Sequence, residues 1–153
     1  MTKKLLKVLH KIVSNELLST PLINRDYEVP YLAGYSKDGR FIYIDKRLPK
    51  FFKLKNGKVV DVDKYLMVHE TVEKKLEDTK KYHYQYAHEK ATGKEREAVE
   101  NDGIDWGEYQ TYMKKMVKKL INFSGPTPPD LDLKPEKDYH DLKTLNKIER
   151  NKT

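Results

Sequence analysis

The chain predicts an α+β fold, a small antiparallel sheet packed with three or four helices, and three observations predict it. Aromatic and branched residues flank an Asp-Gly turn between residues 27 and 45, the pattern of a β-hairpin. Later segments repeat apolar residues at helical spacing. With 153 residues and no cysteine, the chain has room for one hydrophobic core and no disulfide to replace it.

Each element has its own reason. Leu5, Leu6, Leu9, Ile12, Val13 and Leu17 recur at helical spacing with Lys3, Lys4, Lys7 and Lys11 largely opposite them, so the first segment reads as an amphipathic helix that packs on the core. Pro21 and the polar residues 24–26 end it. Residues 27–35 and 40–45 read as two antiparallel strands joined through Asp38-Gly39. In the second strand Phe41, Tyr43 and Asp45 alternate with Ile42 and Ile44, which predicts one buried face and one that lines a cleft. A second turn at Asn56-Gly57 precedes residues 59–62, a short strand or an extended approach to the next helix. Asp63 suits the N-cap of a helix from about Lys64 to Leu76.

A second helix, from about Tyr84 to Glu100, carries Tyr84, Ala87, His88, Ala91, Glu95, Ala98 and Val99 along one stripe. Its alanines allow close approach to a partner helix. Residues 101–103 end it, and Asp105 or Trp106 begins a third helix whose buried stripe is Trp106, Tyr109, Met113, Met116, Val117 and Leu120. These elements make one α+β domain over residues 1–125. The Gly125–Pro129 run then breaks regular structure, and residues 126–153 read as an extended tail that wraps the domain and ends in a short charged helix from Asp138.

Composition narrows the function classes. No apolar run approaches the roughly 20 residues of a membrane helix, and charges at Lys7, Lys11 and Glu16 interrupt any signal-peptide core. A cytoplasmic protein with no membrane contact is expected. The formal charge of +7 raises nucleic-acid binding through counterion release. Lysine supplies nearly all of it, however, and the cluster Lys114, Lys115, Lys118 and Lys119 is explained by the C-terminal end of its helix dipole. Nucleic-acid binding is therefore the third reading. No P-loop, dinucleotide fingerprint or nucleophile elbow is present.

The string His69-Glu70-x-x-Glu73 is the best claim to chemistry. On a helix, residues 69 and 73 share a face, so an imidazole and a carboxylate can hold one ion while Glu70 manages a water proton. Without cysteine, any metal site must use His, Asp, Glu and water. His88 is the expected third ligand and Glu70 the expected catalytic base. Glu95, two turns or roughly 10 Å beyond His88, is expected either to support an imidazole or to serve as a fourth ligand. Tyr43, Tyr84 and Tyr86 are candidates for oxyanion stabilisation. The plainer reading is that Glu73, followed by Lys74 and Leu76, lies on the exposed side of an amphipathic helix. His10, His83 and His140 are expected to have no role.

Residues 29–39, 42–45, 69–74, 86–92 with Glu95, and 129–133 resemble a family of small phage and bacterial proteins that carry an H-E-x-x-E helix and have no assigned activity. The resemblance spans most of residues 27–133 and implies a phage-related origin. Residues 40–95 also resemble minimal zincin metallopeptidase domains, in which an edge strand precedes an H-E-x-x-H helix; here Glu73 stands at the second histidine. That resemblance implies hydrolysis. The expected function is a zincin-like metal-binding protein, a hydrolase of peptide or amide bonds using Zn2+ or another divalent metal on an unknown peptide or protein substrate. The alternative is a non-enzymatic phage structural or regulatory protein with an assembly partner.

Overall fold

A computed structural model describes residues 2–5, 7, 20–80 and 83–152. The architecture is α+β. The N-terminal amphipathic helix expected over residues 5–17 lies almost wholly outside the described residues, as does His10.

The hairpin forms as the turn chemistry requires. Strands β2 (Ala33–Tyr35) and β3 (Phe41–Ile44) pair antiparallel, with Gly34 opposite Tyr43, and Gly39 supplies the positive φ of +73° that the turn needs. The predicted first strand is shorter than its pattern, because Pro30–Leu32 forms a 3-10 turn with Tyr31 and Leu32 at φ of +57° and +77°. Pro30 has no N–H to give a ladder, and Leu32 is held in this unfavourable region by its own burial and by the Asp45 N–H, which donates to its carbonyl at 2.8 Å. Between Pro21 and the polar residues 24–26, where no strand was expected, β1 (Leu22–Asn24) forms and pairs parallel to β3. The sheet order is β1-β3-β2. Residues 41–44 are therefore the central strand and not the edge strand of the zincin resemblance.

A separate hairpin joins β4 (Phe51–Lys53) and β5 (Val59–Asp61), turned at Gly57 with φ of +88°. β5 runs straight into α1 (Val62–Lys80), which starts earlier and ends later than its pattern suggested. Asp63 is not the N-cap. The Asp61 carboxylate accepts from the Asp63 N–H at 3.1 Å, and Asp63 instead receives Arg25 Nε at 3.0 and 3.1 Å. Two more helices follow, α2 (Tyr84–Asn101) and α3 (Trp106–Lys119), capped by His83 Nδ1 and Asp105 Oδ2.

Helix α1 buries Val62, Tyr65, Leu66, His69, Glu70, Glu73 and Glu77 along one face. Its first half packs apolar side chains on Ile42, Ile44 and Met116. Its second half lays polar ones beneath α2, whose fully buried Ala87 and Ala91 let the two helices approach.

The outer face of β3 does not line a cleft. Tyr43 and Asp45 are buried, and Tyr43 packs with Val29, Phe123, Leu131 and Ile148 while its hydroxyl donates to Asp130 at 2.5 Å. What covers it is the C-terminal chain. Leu131 bridges to Ser36, and α4 (Lys134–Asp138) begins where an extended stretch was expected, with Pro135 at a helix start that does not need its N–H. Helix α5 (Leu142–Asn151) then delivers Ile148 to the core with no exposed surface.

Candidate metal centre

His69 and Glu73 lie one turn apart on α1, and His88 comes from α2 across the alanine-lined contact. The three present a triangle of donor atoms. His69 Nε2 is 3.1 Å from Glu73 Oε2 and 3.2 Å from His88 Nδ1, and the third side, His88 Nδ1 to Glu73 Oε2, is 3.2 Å. His69 and Glu73 are buried, whereas the His88 side chain is 45% exposed, which leaves one open side.

Without a cation the triangle has a proton arrangement to draw on, His69 Nε2 donating to Glu73 while His88 Nδ1 accepts from the Tyr84 hydroxyl 3.1 Å away. One cation would satisfy all three atoms. Bonds of about 2.0–2.1 Å in a tetrahedron put neighbouring ligands about 3.3 Å apart, close to the separations found. Two imidazoles and one carboxylate are also a donor set that catalytic zinc takes.

Glu95 is placed away from this triangle. Its Oε1 accepts from His69 Nδ1 at 2.9 Å, and its Oε2 accepts from the Tyr109 hydroxyl at 2.6 Å. Of the two positions expected for it, the geometry is that of support behind an imidazole, with Tyr109 of α3 behind it in turn. Burial pushes the His69 imidazole down, but hydrogen bonds to Glu73 and Glu95 outweigh it and hold the ring up to about 10. Burial likewise pushes Glu73 up, and the bonds from His69 and His88 more than reverse it, so that Glu73 stays ionised.

Glu70 is buried in the wall of a cavity beside the triangle and raised well above the usual carboxylate range, first by burial and then by the charge of Glu73. Glu73 is itself only 2% exposed, which overturns the reading of residues 73–76 as a solvated face. Of the three tyrosines considered, Tyr84 reaches the site, its hydroxyl 3.1 Å from His88 Nδ1. Tyr43 is committed to Asp130, and Tyr86 is exposed and outside the cavity lining. His83 caps α2 and His140 lies between α4 and α5.

Sequence reasoning passed over Tyr109, Glu77, Glu136 and Tyr35. Glu77 is buried one turn beyond Glu73, accepting from the Tyr35 hydroxyl at 2.5 Å. A signal for it was present. Residues 66, 69, 70, 73 and 77 continue the spacing of the buried face of α1, so the acids on that stripe are carried inward with it. Tyr35 and Glu136 carry no such pattern, because their positions depend on how β2 and α4 dock.

A cavity of about 240 Å³ opens beside the triangle, walled by Gly34, Tyr35, Glu70, Thr92, Tyr109 and Met113 among others. Comparison with protein-family models, curated proteins and solved structures gives no match.

Proposed function

We propose that this chain is a zincin-like metal-binding protein in which His69, Glu73 and His88 hold one divalent cation, Zn2+ by the chemistry of the donors, and that it hydrolyses a peptide or amide bond. The observation that carries this reading is the donor triangle, ligand atoms of His69, Glu73 and His88 that lie 3.1–3.2 Å from one another with one side open. In the H-E-x-x-H pattern both histidines come from one helix. Here α1 supplies one histidine and the glutamate and α2 the other histidine, which gives the same two-to-one set in another order.

When bound, the cation supplies a Lewis acid for water and for the scissile carbonyl. The chain's own groups do the rest. Glu95 and Tyr109 fix the His69 ring with Nε2 facing inward. Burial raises the proton affinity of Glu70 in the cavity wall, and a positive charge nearby would make its carboxylate available to take a proton from water and return it to the leaving amine. Tyr84 stands beside His88 to donate to a developing oxyanion.

Elemental analysis of untagged protein tests the first half of this reading, with about one zinc per chain expected and the metal lost in both His69→Ala and His88→Ala. Zinc absent from the wild type at micromolar free metal, or retained in His88→Ala, would overturn it. A fluorogenic peptide library tests the second half, cleavage being expected only with metal present. A second reading rests on the raised His69: an imidazolium bridging Glu73 and Glu95 suits a non-enzymatic polar core, in which chelation leaves the melting temperature unchanged.

A further inference from the structure

The cavity beside the donor triangle continues into an outer recess of about 420 Å³, and the two share Tyr31, Tyr84, His88, Val117, Pro135 and Glu136. Three tyrosine rings frame the recess. Tyr84 and Tyr139 meet edge to face with centroids 5.2 Å apart, and Tyr31 stands at the rim, 60% exposed. Two carboxylates line it as well. Asp141 accepts from the Tyr31 hydroxyl at 3.0 Å, and Glu136 is 7% exposed with Oε2 buried and accepting from no donor among the described residues. Among the described residues no lysine or arginine lines the recess, in a chain that carries 31 of them.

An orphaned, buried carboxylate oxygen is costly, and its own position shows what would relieve it. A metal ion needs several oxygen or nitrogen ligands, whereas an organic cation is satisfied by one carboxylate and the faces of aromatic rings. We infer that the recess framed by Tyr31, Tyr84, Tyr139, Glu136 and Asp141 binds an organic cation, an ammonium group of the substrate, and thereby presents the neighbouring bond to the His69, Glu73 and His88 centre. The substrate class is then a basic peptide or amide. Assignment as a substrate pocket rests on the proposed hydrolase, but cation binding itself does not. Burial holds the Glu136 carboxyl up to about 7, as fits a carboxylate without a countercharge.

The chemistry is shared by a lysine side chain and a free N-terminus, and the probes separate them. N-acetyl-lysine methylamide, norleucine methylamide and N-acetyl-norleucine methylamide are titrated at pH 8 into chelated and zinc-loaded protein, with tyrosine ring resonances as the readout. The expected result is that at least one of the two cationic probes binds about tenfold more tightly than the neutral one, the better of the two identifying the source. Glu136→Gln and the surface variant Tyr139→Leu should each remove most of that preference while retaining zinc. Equal binding of charged and neutral probes, or a preference unchanged in Tyr139→Leu, overturns the inference. Zinc binding alongside equal probe affinities sinks this inference alone; a cation preference in a protein that takes no zinc sinks the hydrolase alone.

Discussion

Glu95 and Glu73 hold opposite nitrogens of one imidazole: Glu95 Oε1 lies 2.9 Å from His69 Nδ1, and Glu73 Oε2 lies 3.1 Å from Nε2. The ring is thereby fixed in rotation, with Tyr109 holding Glu95 from behind at 2.6 Å. Removing that support should weaken a metal without removing a ligand. Glu95→Gln is expected to keep one zinc per chain at saturation and to lose affinity by roughly 10- to 100-fold, as read by competition with a fluorescent chelator. Loss of stoichiometry instead would make Glu95 a ligand.

Glu70 separates catalysis from binding. Its carboxyl is buried and its proton affinity is raised by that burial and by the charge of Glu73, and glutamine reproduces its shape there. Glu70→Gln should fold as the wild type does, bind zinc with unchanged stoichiometry and lose turnover by about 100-fold or more. Undiminished hydrolysis in this variant would assign the proton transfer elsewhere.

Glu77 gives a pH dependence whose sign can be worked out. Its folded-state pKa is raised to about 7, burial being the main cause and the hydrogen bond from Tyr35 opposing it. The folded chain therefore holds a proton there that the unfolded chain releases near the ordinary glutamate value. The contribution of this group to stability is complete below about pH 4.5 and is lost as pH rises through about 7. Glu77→Gln cannot ionise and its amide oxygen still accepts from Tyr35. Urea unfolding in the presence of a chelator should show the wild type losing stability relative to this variant between pH 5 and pH 8. Parallel profiles would contradict the assignment.

Ile148 tests what the C-terminal chain contributes. It is wholly buried against Val29, Tyr43, Phe123 and Leu131, although it belongs to the last helix of a charge-rich segment. Ile148→Ala is expected to cost about 2–5 kcal/mol in denaturant unfolding. A loss below about 0.5 kcal/mol, the scale of an ordinary surface change, would mean that this helix is not part of the cooperative core.

Local signals account for much of the fold. Asp38-Gly39 and Asn56-Gly57 mark turns wherever they occur, because glycine alone enters the left-handed region freely, and both hairpins close at these glycines. Alanines spaced along α2 and apolar residues along α3 predict their own burial, since helical periodicity is a property of neighbours in sequence. The same periodicity placed His69 and Glu73 on one face of α1 before any partner was known.

Docking decided the remainder, because the energies that place distant segments together come from surfaces no short window contains. Parallel pairing of β1 to β3, the covering of Tyr43 by Leu131 and Ile148, and the assignment of Glu95 behind His69 all depend on such contacts. So does the environment of Glu70, Glu77 and Glu136. By itself the sequence determined which side chains share a helix face. Only the tertiary structure determined which of those faces is closed to water, and exclusion of water is what turns ordinary carboxyls into groups with shifted proton affinity.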